Sequence, residues 1–293
     1  MILAVFTLAT ACNNSGESGN LKPPIEIGSD GGDAIDPDAI NKIIGSFSSP
    51  VESAAMIEDM NVPYSSKNLV PTSIVDNFDS NFKKALGLGI LSSELGYLNV
   101  YKKTNSIVEY LTAIRRLADD LDVDQFFDFQ TLKRLATNNE DLDSLMFLSV
   151  NSYNRMDEHL RKTQRSDLSA LMVTGVWLEG LYLSCEVYKQ TSSNKELKER
   201  IGEQKNILND LLLVLKFFEK KSHFKELITD FESLKEAYEG VKITIELGDS
   251  KSEVDKNGRY VIIQDENTVV EISDEQVNEI AKLVDKTRNK LIK

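Results

Sequence analysis

The sequence has little of the chemistry on which most enzymes depend. It contains two histidines, His159 and His223, and two cysteines, Cys12 and Cys185. A metal site built from several histidines is therefore excluded within one chain, and no C-x-x-C pair is present. The patterns G-x-S-x-G, H-E-x-x-H, G-x-x-x-x-G-K-[ST] and the dinucleotide-binding glycines are also missing. We expect a non-enzymatic protein that needs no cofactor.

Basic residues are outnumbered by acidic ones. The 34 Lys and Arg stand against 47 Asp and Glu, which leaves a net charge of −13 over 293 residues. Proteins that bind nucleic acid or an anionic membrane surface need clustered positive charge, so both classes are disfavoured. The acidic runs at 30–38 and 119–124 lack the ligand spacing of a calcium loop. We interpret the first as part of a linker and the second as a solvated turn between helices.

The chain begins with an uncharged apolar stretch that is too short to span a bilayer but typical of the hydrophobic region of a signal peptide. It ends in Leu8-Ala-Thr-Ala-Cys12, which resembles the lipobox of bacterial lipoproteins. The resemblance implies that residues 1–11 are a signal peptide and that Cys12 carries the lipid, a palmitate-type acyl anchor. Leu8 lies one position further from the cysteine than in the family, and no Lys or Arg precedes the stretch. Ordinary secretory cleavage after Ala11, or a cytoplasmic chain, are the alternatives.

Residues 12–36 have the composition of a flexible polar tether. They are rich in Gly, Ser, Asn and Pro and cannot bury enough surface to offset their ordering entropy. The tether would hold the following domain, 37–293, away from the lipid headgroups. We therefore expect a lipid-anchored protein of the cell envelope, at the outer membrane, on either its periplasmic or its surface face. Its expected partners are the membrane, through Cys12, and an envelope protein.

Apolar spacing indicates helices through most of the domain. The predicted ranges are 38–46, 50–60, 73–101, 104–121, 124–136, 139–163, 166–190, 193–221 and 224–245. Ser166-Asp167, Asn194 and Asp124 offer side-chain caps to three of them, and the apolar 193–221 helix is expected to be central. Cys185 lies in an apolar run and is interpreted as a core residue.

The pattern changes near the C-terminus. Asn257-Gly258 is favoured in tight turns, and the β-branched segments around it predict a small β-hairpin over 253–272. Ser273 and Gln276 then form a capping box for a last helix with an apolar stripe. The predicted fold is all-α: a single domain, a multi-helix bundle of roughly eight to ten helices, with this β-hairpin before the C-terminal helix.

Two helices carry a similar Glu-x-x-Tyr motif with glycines close by: Glu94 with Tyr97, and Glu179 with Tyr182. In one interpretation these four residues and Trp177 line a cleft that binds a small polar or cationic ligand against aromatic faces. In the other, the glycines let the helices pack closely and each carboxylate accepts a hydrogen bond from a tyrosine hydroxyl. Replacing both glutamates by Gln should barely change the melting temperature in the first case and lower it by several degrees in the second.

Together with the lipobox and the tether, the segments LGLGILSSELGYLNVY, QFFDFQTLKRL and GVWLEGLYL resemble a group of uncharacterised lipoproteins from Bacteroidetes. The resemblance covers most of the chain from about Ser46, and it implies an envelope location and a helical fold. It carries no catalytic residue across. The leading hypothesis is an interaction or structural module, the second is the ligand-binding cleft, and the third is a hydrolase that works through two carboxylates.

Overall fold

The computed structural model describes residues 62–138, 142–191, 194–254 and 260–293. All of these belong to one unit of the chain. The expectations for the signal peptide, Cys12, the tether and the first two helices lie outside the described residues. The Asn257-Gly258 turn lies outside them as well.

The described residues form eight α-helices, two β-strands and three short 3-10 helices. The α-helices are α1 Asn81–Val100, α2 Thr104–Asp120, α3 Phe129–Asn138, α4 Leu142–Lys162, α5 Ser166–Tyr188, α6 Lys195–Phe217, α7 Phe224–Ala237 and α8 Asp274–Leu291. The strands are β1 Lys242–Val254 and β2 Tyr260–Glu271, and the 3-10 helices are Ser66–Asn68, Thr72–Asn77 and Asp124–Phe126. A mainly helical bundle with a two-stranded antiparallel sheet before the C-terminal helix is thus confirmed.

Helix α5 lies at the centre of the bundle. It is long and apolar enough to cross a membrane, but its apolar segment is entirely buried inside the protein, as in the core helix of a soluble domain. The prediction that 193–221 is the central helix is therefore wrong. Helix α6 buries only one stripe, which includes Leu197, Ile201 and Leu208, while Phe217 at its end is exposed.

Helices α1 and α5 pack against each other at two glycines. A Cβ atom on Gly89 would lie 2.1 Å from the carbonyl oxygen of Met172, and one on Gly175 would lie 2.3 Å from that of Leu86. These distances are far below van der Waals contact, so only glycine permits the two backbones to approach this closely. The two contacts are reciprocal, because each glycine meets the carbonyl three residues before the other.

Some predicted helix caps are confirmed and others are wrong. Asn194 accepts a hydrogen bond from the amide of Leu197, and the capping box of α8 forms as predicted. Asp124 caps no helix; Asp128 instead accepts from the amide of Thr131 in the first turn of α3. The start of α5 has no side-chain cap either. Several short polar residues near a helix start can act as the cap, and at α3 the residue in the right position is Asp128, directly before the first turn.

The β-hairpin begins earlier than predicted. Helix α7 ends at Ala237, so the prediction of a helix over 224–245 is wrong for its last residues, and β1 begins at Lys242. The segment 242–247 alternates polar and apolar residues, several of them β-branched, which is the period of a strand. The strands pair antiparallel from Lys242↔Glu271 to Val254↔Tyr260, with a bulge between Leu247 and Ser250.

The base of the hairpin packs on the bundle, whereas the next part of β1 faces solvent. Val270 and Ile272 are buried near Gly202 of α6. Ile245 and Leu247, which share one face of β1, are 49% and 65% exposed. A two-stranded ribbon gains its stability from what it packs against, so the base of this hairpin is its stable end.

Candidate functional site: a buried carboxylate pair around Arg288

Two glutamates lie in the centre of the bundle. Glu94 of α1 and Glu179 of α5 are both 0% exposed. Each is the single charged residue in a long uncharged stretch, 85–101 for Glu94 and 168–185 for Glu179. The close packing of α1 on α5 brings these two carboxylates together, because both glutamates follow the crossing glycines by about one helical turn. Buried charges of one sign require a partner of the other sign.

Arg288 of α8 supplies that partner. Its Nε donates to Oε2 of Glu179 at 2.6 Å, and its Nη2 donates to Oε1 of Glu179 at 2.8 Å, so the guanidinium binds this carboxylate in a fork. The same Nη2 also contacts Oε1 of Glu94 at 3.1 Å. The Arg288 side chain is only 6% exposed. Burial by itself would lower the pKa of Arg288, but Glu179 and Glu94 raise it by more, so the guanidinium stays charged.

The segment before α1 closes the cluster from another side. The amide of Val70 donates to Oε1 of Glu94 at 2.6 Å, and the carbonyl oxygen of Asn68 accepts from Nη2 of Arg288 at 3.1 Å. The hydroxyl of Tyr110, on α2, donates to the carbonyl oxygen of Val70 at 2.5 Å. The segment before α1, α1 itself, α5 and α8 therefore meet at one guanidinium.

Tyr182 covers the face of the guanidinium. The Cζ of Arg288 lies 4.0 Å from the centre of the Tyr182 ring, which is a close cation–π contact. Burial raises the pKa of the Tyr182 hydroxyl to about 12. The guanidinium thus occupies the position, between two carboxylates and an aromatic face, in which the sequence predicted a cationic ligand.

The two carboxyl groups differ in protonation. Burial, and then repulsion by Glu179, raise the pKa of Glu94 well above its ordinary value, against the opposing effects of Arg288 and the Val70 amide. Burial also raises the pKa of Glu179, but Arg288 opposes it more directly through two hydrogen bonds. Glu94 is therefore the carboxyl group of the pair that holds a proton more readily. Its Oε2 is buried without any other partner among the described residues, and the proton on it can be donated to Glu179.

With a proton on Glu94 the cluster would be electrically neutral. One carboxylate would balance one guanidinium, and the protonated carboxyl group could donate to the carboxylate. A neutral, hydrogen-bonded group costs far less to bury than two carboxylates that share one cation. The geometry makes the cluster an internal cross-link between α1, α5, α8 and the segment that precedes α1.

The other two residues predicted for the ligand cleft lie elsewhere. The hydroxyl of Tyr97 accepts a hydrogen bond from the amide of Ser65 at 3.2 Å, and its ring packs on Tyr101. Trp177 faces α6 and donates from Nε1 to Oε1 of Gln204 at 3.0 Å. The structure thus brings Glu94, Glu179 and Tyr182 to one place but does not bring Tyr97 or Trp177 into the cluster.

The glycine part of the packing interpretation is confirmed by the close crossing of α1 and α5. Sequence reasoning missed Arg288 and Tyr110. Arg288 lies four residues after Val284, on the same helix face as the buried Ile280 and Ala281. An arginine on an apolar stripe was the signal that could have identified the missing cation.

A smaller polar cluster joins α4 to α5. Asp157 accepts a hydrogen bond from the hydroxyl of Ser169 at 2.5 Å and pairs with Arg161 at 2.9 Å. Burial raises the pKa of Asp157, and the hydroxyl of Ser169 and the charge of Arg161 oppose the rise. Helix α5 is therefore held by buried polar contacts in its first turn as well as near its middle.

The remaining candidates are packing or surface residues. His159 packs against Phe126, and the exposed His223 packs against Phe82. Cys185 is buried in the core as predicted, and burial raises the pKa of its thiol to about 12. No family model, no curated protein and no solved structure matches the chain.

Proposed function

We propose that the protein is a non-enzymatic lipoprotein of the cell envelope, anchored through Cys12 at the outer membrane, that acts as an interaction or structural module. The anchoring part rests on the apolar leader that ends in Leu8-Ala-Thr-Ala-Cys12 and on the polar composition of 12–36. Acyl chains on Cys12 would hold the helical unit at a membrane surface.

The buried cluster is the observation that supports a structural rather than a chemical role for the described part. The three ionisable groups of the cluster bond to one another: Arg288 bonds to both glutamates and stacks on Tyr182. A carboxylate that acts as a general base needs access to its substrate, whereas Glu94 and Glu179 are completely covered. The cluster therefore serves to fasten α8 to the centre of the bundle.

The exposed part of the β-hairpin supports an interaction role. Ile245 and Leu247 present two large apolar side chains on one face of β1. An exposed apolar surface on a strand is a common site of protein contact. The envelope partner is proposed to be a protein, because the net charge of −13 disfavours nucleic acid.

Metabolic labelling with an alkyne-tagged fatty acid tests the anchor. The full chain is expressed in a bacterial host, and the label is detected on the purified protein. We expect the unmodified chain to be labelled and to sediment with membranes, and Cys12→Ser to lose the label and become soluble, because the acyl chains are attached through that sulfur.

Cys185→Ala is the matched control, since Cys185 is the other cysteine of the sequence and is buried. It should keep both the label and the membrane fraction. Equal labelling of Cys12→Ser and the unmodified chain would reject the lipoprotein proposal, and release of an unlabelled mature chain into the medium would favour ordinary secretion.

A further inference from the structure

A cavity lies between the first five helices, away from the ion cluster. It has a volume of about 70 Å³ and is bordered by residues of α1 to α5 and of the short segment before α3. On α1 the cavity is bordered by residues 88, 89, 92, 95 and 96, which share one helix face. Glu94 points to the opposite side of α1, so the cavity and the cluster are separate features.

Small residues leave this space open. Gly96 has no side chain, and Ser92, one turn before it, has a short one. A leucine at position 92 would extend into the cavity without disturbing the helix, because leucine is a good helix former. An empty apolar space in a protein interior lowers stability, because its walls lose packing contacts. The cavity therefore has a cost that a single larger side chain would remove.

The walls of the cavity are almost entirely hydrocarbon. They include Leu111, Ile114 and Leu132, and no charged residue borders the cavity. The hydroxyl of Ser92 already donates to the carbonyl oxygen of Leu88 in its own helix at 2.7 Å. The hydroxyl of Tyr153 also borders the cavity and is buried without a hydrogen-bond partner among the described residues. One hydroxyl cannot replace the hydration of a charged ligand, whereas an apolar ligand would gain from burial there.

The size of the cavity selects a narrow ligand. The volume of about 70 Å³ is about half of the roughly 150 Å³ of an apolar cavity that binds benzene, so the space suits a few methylene groups. Met156 and Met172 border the space, and methionine side chains adapt easily to flexible apolar ligands. These features fit the end of a flexible chain better than a rigid ring.

We propose that this cavity binds the end of an unbranched alkyl chain, supplied either by a free fatty acid or by a membrane lipid. The methyl end of the alkyl chain occupies the cavity, and its polar head stays in solvent. The proposal does not depend on acylation of Cys12, because it rests on the walls and volume of the cavity alone.

Quenching of the single tryptophan tests the proposal. Trp177 directly follows Val176, which borders the cavity, and a bromine atom quenches indole fluorescence at short range. The full chain with Cys12→Ser is titrated with 8-bromooctanoic acid, so that no attached lipid competes. We expect saturable quenching that excess unbrominated octanoic acid reverses.

Two variants locate the binding. Ser92→Leu fills the cavity and should weaken the apparent affinity at least tenfold. Thr112→Leu adds the same side chain at an exposed position of α2 and should leave the affinity unchanged. Thermal melting checks that each variant is folded. Val176→Ile, which adds a single methylene group at the cavity wall, replaces Ser92→Leu if that variant does not fold.

Vesicles of phosphatidylcholine brominated near the chain ends distinguish the two sources. If these vesicles quench the fluorescence and Ser92→Leu abolishes the effect, the bound alkyl chain comes from a membrane lipid. If only the free acid quenches, it comes from a fatty acid. Quenching that does not saturate with either probe overturns the proposal. Equal quenching of Ser92→Leu and Thr112→Leu also overturns it, because binding would then lie outside the cavity.

Discussion

Glu94 and Glu179 have the same side chain and the same burial, but their partners give them different roles. Glu179 holds the guanidinium of Arg288 through two short hydrogen bonds. Glu94 contacts the same guanidinium through one longer bond and also accepts from the Val70 amide. We therefore expect a proton that is held by this pair to reside on Glu94, while Glu179 carries the negative charge that balances Arg288.

This difference predicts unequal effects of the same substitution. Glu94→Gln replaces a protonated carboxyl group by an amide of the same shape that can still donate to Glu179, so the free energy of unfolding should fall by less than about 1 kcal/mol. Glu179→Gln leaves the buried guanidinium without its main counter-charge and should cost about 3 kcal/mol. Urea unfolding at pH 7 measures both values, and equal losses would contradict the assigned protonation.

The pH dependence of the Glu94→Gln variant tests whether folding raises the pKa of Glu94. The pKa of Glu94 is higher in the folded than in the unfolded protein, so the folded state binds more protons and stability falls as pH rises from the unfolded pKa towards the folded one. Gln removes this dependence. The loss caused by Glu94→Gln should therefore grow from pH 7 towards pH 5, by at most about 1.4 kcal/mol per pH unit. A loss that shrinks towards pH 5 would indicate an ionised Glu94.

At the scale of elements, the crossing of α1 and α5 determines whether the cluster can form. Gly89 and Gly175 each face a backbone carbonyl of the other helix, and a backbone atom cannot move aside as the end of a side chain can. The close approach is what places Glu94 and Glu179 around a single cation. The motif repeated in the two helices is thus explained by one shared crossing.

Alanine at either crossing glycine should destabilise the protein, although Gly→Ala in an ordinary helix gains about 1 kcal/mol. We expect Gly89→Ala and Gly175→Ala each to lower the free energy of unfolding by about 2 kcal/mol, because both force the helices apart. The double variant should lose much less than the sum, since the first separation relieves the second clash. Chemical denaturation of the three proteins measures this coupling.

Gly202→Ala is the comparison for this experiment. A Cβ there would meet Cγ1 of Val270 on β2 at 2.5 Å, which is a side-chain atom at the base of the hairpin. Rotation of the valine and a shift of the hairpin can relieve that contact, so the loss should be smaller than at the crossing. Losses of the same size at all three glycines would argue against a special role for the α1–α5 contact.

At the scale of the whole molecule, polar links connect the beginning and the end of the described chain. Arg288 bonds to the carbonyl oxygen of Asn68, two hundred and twenty residues away in sequence, and to both central helices. The hairpin is attached differently, because it packs through residues near its base such as Val270. Stability should therefore be highest around α1 and α5 and lower along β1.

Hydrogen exchange should reveal this gradient. Amides near the middle of α1 and α5 should exchange only when the whole domain unfolds, whereas amides near Ile245 and Leu247 should exchange through local opening. In Glu179→Gln, protection in α1 and α5 should drop about 100-fold, which corresponds to the loss of about 3 kcal/mol, while protection at 245–247 stays the same. A uniform drop at all positions would show that the hairpin unfolds with the bundle.

The sequence by itself determined the class of the fold and most of its elements. The period of the apolar residues marks a buried helix face, and it predicted most ends of the described helices to within five residues. The start of α1 and the end of α7 each differ by eight residues from the prediction. The capping box at Ser273 and the hairpin before α8 were also predicted. The boundary between α7 and β1 was missed because the six alternating residues of 242–247 directly follow a helix, and so short a segment gives only a weak signal of its own.

Only the tertiary structure decided what the two Glu-x-x-Tyr motifs do. The sequence indicated that Glu94 and Glu179 were unusual, since each is a lone charge among apolar residues. It could not indicate that Arg288, more than a hundred residues further along, fills the space between them. Local sequence patterns report which face of an element is buried, whereas the partner of a buried charge depends on how distant elements pack. In the folded protein, the guanidinium of Arg288 lies where the sequence had suggested a cationic ligand from outside the chain.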